Sequence, residues 1–154
     1  MKYLKFIILF IILIGIVMFL TKKGTGYTIE RDKVLQNKII VNGIVTNIKV
    51  SNNHNFGILT LNIVNSNIKE FKSQLSRGIY PYKIQGKVAE IYSYIPAGIS
   101  KGDKVELNSD EQKCHYYYVK TKEKFEGSIK VITDLTDINF VQENTSLNKG
   151  ILSH

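Results

Sequence analysis

A chain of 154 residues, 44% hydrophobic and 22% charged, has room for one globular domain and a short appendage, which excludes a disordered chain and a multidomain enzyme. Its single cysteine, Cys114, excludes a disulfide framework and a cysteine-rich zinc module. The net charge of +8 attracts anionic partners, but Arg31 and Arg77 are the only arginines, and lysine lacks the planar fork that phosphate and base recognition favour.

The first predicted element is Phe6 to Leu20, FIILFIILIGIVMFL, 15 apolar residues with Lys2 and Lys5 before them and Lys22 and Lys23 after. At about 1.5 Å per helical residue the run reaches about 22 Å, and Tyr3 to Thr21 reaches about 28 Å if Lys5 snorkels. A transmembrane helix is therefore expected, with residues 1–23 an N-terminal membrane anchor or signal segment. Retention as a signal-anchor is favoured over cleavage, because Gly24-Thr25-Gly26, the best small-residue site, lies behind the Lys22-Lys23 pair. The flanking charges favour a cytoplasmic domain by count, but an anchor that begins so close to the N-terminus favours a periplasmic or extracellular one, which is the expectation adopted.

Residues 24–33 read as a connector, 34–147 as a β-rich domain and 148–154 as a polar tail. Lys38 to Val50 is predicted as a long strand bent at Gly43, with Ile40, Ile44, Ile48 and Val50 on one parity. The polar Ser51–Gly57 turn leads to Ile58–Val64, with Leu59, Leu61 and Ile63 on one face, completing a hairpin. Asn67 to Gly78 switches to helical spacing through Ile68, Phe71 and Leu75, with Asn67 as the cap.

Lys83 to Ile95 reads as one strand, with Val88, Glu90, Tyr92 and Tyr94 on one side and Ala89, Ile91, Ser93 and Ile95 on the other. A turn through Pro96, Gly98 and Gly102 launches a strand with Val105 and Leu107; Lys113–Lys120 and Gly127–Asp134 add two more. A last short helix carries Ile138 and Val141, capped by Thr136 or Asp137. The fold class expected is mainly β, a small antiparallel β-barrel or sandwich with one or two short helices, OB-like in its bent first strand.

Catalytic signals are weak. Cys114 and His115 are neighbours on a strand and so point to opposite faces, which denies them the hydrogen bond that activates a thiol. Asp103, Glu106, Asp110 and Glu111 cluster without the spacing of a calcium loop. His54, His115 and His154 are too scattered for a metal site, and no cofactor motif occurs, so no enzyme activity, metal or cofactor is expected. The candidate ligand face is aromatic and basic: Tyr92 with Tyr94, Tyr116 with Tyr118, and the following Lys120, Lys122 and Lys124. Such tyrosines stack bases or sugar rings beside an anionic backbone; alternatively they are half-buried strand residues that stabilise a sheet.

The Lys-flanked anchor, PYKIQGKVAEIYSYIP (Pro81–Pro96), GISKGDKVELNS (Gly98–Ser109) and the Tyr116–Tyr118 strand together resemble small uncharacterised single-pass anchored envelope proteins of A/T-rich Gram-negative bacteria, over residues 80–145. The resemblance implies an envelope location and carries no assigned activity. The functional expectation is thus a membrane-tethered extracytoplasmic β-domain acting as a non-catalytic binding or assembly module. Its partners would be the membrane, through the one span, and another envelope protein or an acidic polymer. The alternative is a cytoplasm-facing basic domain that binds nucleic acid or anionic lipid through the Tyr/Lys face.

Overall fold

The structure, a computed structural model, describes residues 4–147; the predicted polar tail, with His154, lies outside the described residues. The chain divides into two compact units, Met1–Val34 and Leu35–His154.

The first unit is a helix, α1 (Leu4–Asp32), which continues through the predicted connector. Its side chains at Phe6 and Ile8 to Phe19 are exposed. Among the described residues no helix is long and apolar enough to cross a membrane. The uninterrupted apolar run ends at Leu20, and the helix goes on through Lys22, Lys23, Glu30, Arg31 and Asp32. About 22 Å of apolar helix falls short of a hydrocarbon core of about 30 Å, and the longer reach depended on adding Tyr3, Lys5 and Thr21. The transmembrane signal-anchor is therefore not supported. The membrane partner and the periplasmic or extracellular placement rested on it and fall with it, and without such a helix the resemblance to single-pass anchored envelope proteins is not supported either.

The second unit is built on eight antiparallel strands: β1 (Ile40–Val50), β2 (Phe56–Ser66), β3 (Glu70–Phe71), β4 (Tyr82–Gln85), β5 (Val88–Tyr94), β6 (Lys104–Asn108), β7 (Lys113–Tyr117) and β8 (Lys124–Ser128). They form one sheet in the order β3-β4-β5-β2-β1-β6-β7-β8. The mainly β expectation holds, but the barrel does not, because β3 and β8 end the order without pairing to each other. The sheet is curled all the same: Tyr116 on β7 reaches Ser93 on β5 across three intervening strands.

Strand alternation sorts the side chains onto two faces. The inner face buries Val41, Val45, Leu59, Leu61, Tyr82, Ile84, Ile91, Val105, Leu107, Cys114 and Tyr116. Burying each large side chain stabilises the fold by about 1.5–3 kcal/mol, so this face dominates the energetics. The bend at Gly43 is a register shift, as expected, but a second shift follows between Val45 and Asn47. The first shift places its extra residue, Val64, on β2 and leaves the parity of β1 unchanged, so Val41 and Val45 are both buried while Ile40 is exposed; the second adds Thr46 to β1 and switches the parity, so that Ile48 packs against the core. Gly43 also permits close packing, since a Cβ there would stand 2.9 Å from the Leu61 Cβ.

Three further elements differ from the sequence expectation. No helix forms over 67–78: Phe71 packs its ring against Tyr80 and Tyr82, with centroids 5.0 and 5.2 Å away, and pairs with Ile84 as an edge strand. A short isolated helix is marginal, and that tertiary contact outweighs it. Asn67 caps nothing helical; its side chain accepts from Ile40 N at 3.0 Å and donates to Lys38 O at 2.5 Å, pinning the start of β1. The predicted 83–95 strand is a hairpin of β4 and β5, turned at Gly86, whose φ of 61° suits the first position of a two-residue loop. The predicted 127–134 strand is displaced: β8 lies earlier, and Ile129, Val131 and Ile132 instead plug the two hydrophobic clusters.

The second cluster lies on the outer face of β2 and β5, where Phe56, Ile58 and Tyr92 meet Ile132 and Val141. Val141 belongs to α2 (Leu135–Asn144), capped by Asp134, whose side chain accepts from Thr136 N at 2.8 Å and Asp137 N at 3.2 Å. The segment after α2 is held by side chains of the sheet. Lys49 Nζ donates to Asn144 O at 2.6 Å, and Lys83 Nζ to Leu147 O at 3.2 Å. The buried Glu90 carboxylate accepts from Tyr92 Oη at 3.0 Å, Thr145 Oγ1 at 2.5 Å, Ser146 N at 2.8 Å and Ser146 Oγ at 2.6 Å.

Candidate binding cleft on the outer face of the sheet

The cleft follows from where α2 stops. That helix packs on β2, and the outer face of β1, β6, β7 and β8 carries a cleft of about 640 Å³. Because Val105, Leu107, Cys114 and Tyr116 point inward, their neighbours must point outward, and the register aligns those neighbours in cross-strand rows. One row runs Ile44, Lys104, Tyr117, Lys124. The next runs Asn42, Glu106, His115, Glu126. Adjacent rows are two residues apart along each strand, about 7 Å. The cleft thus sets a basic row with a central tyrosine beside an acidic row with a central histidine.

The acidic row is held together by its own contacts. His115 Nε2 lies 3.1 Å from Glu111 Oε2, and Nδ1 lies 3.4 Å from Glu126 Oε1. Lys113 Nζ donates to Glu126 Oε2 at 2.6 Å. That bond and the lysine charge lower the Glu126 pKa, with His115 contributing less, and the same bond raises the pKa of Lys113. Both side chains of this pair are about half exposed, so its contribution to stability is small and it chiefly orients Glu126.

The predicted ligand residues are divided between the two faces. Tyr92 is buried beneath the segment after α2 and donates to Glu90, and burial followed by the nearby Glu90 charge raises its pKa. Tyr94, on the same outer face, is 65% exposed, with its ring edge-on to Phe56. Tyr116 is in the inner core, where burial raises its pKa. Tyr118 packs at the margin of that core and donates to Ala97 O at 3.1 Å. Lys120 and Lys122 lie in the loop that follows, where Lys122 N donates to Tyr118 O at 2.9 Å. Each tyrosine pair shares a face, but the two pairs lie on opposite faces and form no common platform.

The acidic cluster also disperses. Asp103 is buried, which would raise its pKa, but bonds from Val119 N and from Ser100 N and Oγ outweigh burial and lower it. Asp110 accepts from Lys38 N at 2.8 Å, and Glu106 faces the cleft. Among the described residues no group of His, Cys, Asp or Glu is arranged to hold a metal ion. Cys114 is wholly buried with its thiol pushed up to about 12 by burial, on the face opposite His115.

Sequence reasoning passed over Tyr117, Lys104 and Glu126, although a signal was present. Once Cys114 is placed inward as a buried thiol, period-two alternation turns Tyr116 inward and Tyr117 outward. No family model matches the chain, and neither a curated protein nor a solved structure matches it.

Proposed function

We propose that the Leu35–His154 unit is a non-catalytic binding module that takes an extended peptide segment in the outer cleft. The observation that carries this reading is the pairing of rows: Lys104 and Lys124 beside Glu106 and Glu126, with Tyr117 and His115 at their centres. A polyanion would meet the lysines favourably and the carboxylates unfavourably, so the balanced rows disfavour nucleic acid despite the chain's net charge of +8. A peptide with acidic and basic side chains about 7 Å apart, the spacing of residues i and i+2 on an extended chain, satisfies both rows. Cys114 offers the cleft no nucleophile, since its thiol is buried, held neutral by burial and on the face opposite His115.

The test is selection from a displayed random-peptide library on the full chain, followed by titration of a selected peptide by fluorescence polarisation. Enriched peptides are expected to carry an acidic and a basic residue at positions i and i+2, and Lys104→Glu and Tyr117→Ala each to weaken binding by tenfold or more. Tight binding of a single-stranded oligonucleotide that falls steeply with salt, or peptide binding indifferent to both substitutions, would overturn the reading.

A further inference from the structure

The end of the sheet at β8 has a self-complementary edge, and we propose that two copies of the chain pair there as antiparallel strands. The backbone determines which groups are available. Tyr118 N donates to Glu123 O at 3.0 Å and Ile129 N to Gln112 O at 2.9 Å, which fixes the phase of the β7–β8 ladder. Hydrogen-bonded pairs alternate with non-bonded ones, so Phe125 and Gly127 direct their N–H and C=O towards β7. Lys124, Glu126 and Ser128 direct theirs away from the sheet, and among the described residues β8 pairs with β7 alone.

An antiparallel two-fold pairing through these groups admits few registers. With the axis through residue 124, Lys124 meets itself; with the axis through 126, Glu126 meets itself. Both juxtapose like charges and are disfavoured. With the axis through Phe125, Lys124 of each copy stands opposite Glu126 of the other, and both pairs fall at hydrogen-bonding positions. Phe125 then meets its own copy at the non-bonded position, where Cα atoms approach to about 4.5 Å. Phe125 is 49% exposed, with its ring on Tyr116, so a second Phe125 covers apolar surface that one copy leaves in water. Lysine on a strand edge usually discourages random pairing, and here it selects one register. The axis also joins the two clefts, since the Lys104–Tyr117–Lys124 row of one copy continues into the Glu126–His115–Glu106 row of the other.

The experiment is sedimentation of the full chain over a range of concentrations, for the wild type, Lys124→Glu, Glu126→Lys and an equimolar mixture of the two variants. Each variant alone places like charges opposite each other, whereas the mixture restores both opposite-charge pairs. The expected result is a wild-type monomer–dimer equilibrium, a dissociation constant raised at least about tenfold in each variant, and recovery in the mixture. Association through any other surface would be indifferent to this exchange. A wild-type chain that stays monomeric, or a mixture no better than its components, overturns the proposal. Should Glu126→Lys fail to fold after losing Lys113, Phe125→Cys decides: the pairing brings those Cα atoms within disulfide range, so mild oxidation should crosslink two copies, and a chain that remains uncrosslinked refutes it. None of these readouts uses a peptide, so the cleft reading and the pairing stand or fall separately.

Discussion

Replacing Glu90 with alanine should release the segment after α2 and destabilise the domain by about 2–4 kcal/mol. The carboxylate accepts four hydrogen bonds, and two of its donors, the Tyr92 and Thr145 hydroxyls, belong to residues only 5% exposed. Each buried donor left without an acceptor costs about 1–3 kcal/mol. Ser146 has access to water and adds little, and removing a desolvated charge offsets part of the loss. Tyr92 Oη and Thr145 Oγ1, already 3.5 Å apart, can also recover one bond between them. For a domain of this size about 3 kcal/mol corresponds to a fall in Tm of roughly 10 °C. Glu90→Gln should cost only about 1 kcal/mol, since its carbonyl still accepts from Ser146 and the hydroxyls can turn to accept from its amide. Urea unfolding gives the magnitude, and hydrogen exchange gives the location, with protection lost first across 134–147. A Glu90→Ala protein within about 0.5 kcal/mol of wild type, or one whose exchange rises uniformly, would refute the assignment of Glu90 as the group that pins this segment.

Cys114 should resist thiol reagents at pH 8 in the folded protein and react only as fast as the chain unfolds. Because burial holds its folded pKa above the unfolded value, its contribution to stability is complete below about pH 8.5 and is lost as pH rises towards about 12. Tyr82, pushed up to about 12 by burial, adds the same loss above about pH 10, so urea midpoints should decline progressively on the alkaline side; a flat profile there would count against both groups being buried. Gly78→Ala should cost more than about 2 kcal/mol, because φ is 79° and a Cβ would lie 2.2 Å from Ile132 O, across the bridge joining Ile79 to Ile132. A thermal melt near that of wild type would show that this junction relaxes easily.

The parts of the fold legible in the sequence were those where period-two alternation met a buried face. Leu59 and Leu61 on β2, and Ala89 and Ile91 on β5, lie inward as their spacing requires. Where alternation was read straight through a break, the reading failed: Gly86 divides the predicted 83–95 strand into a hairpin, and the extra residue between Val45 and Asn47 switches the inward parity of β1 from Val41 and Val45 to Ile48. The helix expected at 67–78 failed for a different reason, since Phe71 gains more from Tyr80 and Tyr82 than from its own neighbours in sequence. Glu90 could not be read as a clamp, because Thr145 and Ser146 lie more than 50 residues away along the chain.

Charge illustrates the same limit for function. The surplus of 21 basic over 13 acidic residues points by count to an anionic partner. Placement reverses that inference where the outer cleft is concerned. Lys104 and Lys124 share it with Glu106 and Glu126, so its charges balance and only their order along the rows is distinctive. Long-range attraction depends on the total, whereas selection of a ligand depends on which sign faces which group within a few ångströms. For the same reason reversing a remote surface lysine should change encounter rates slightly, while reversing Lys104 should change which peptide is bound.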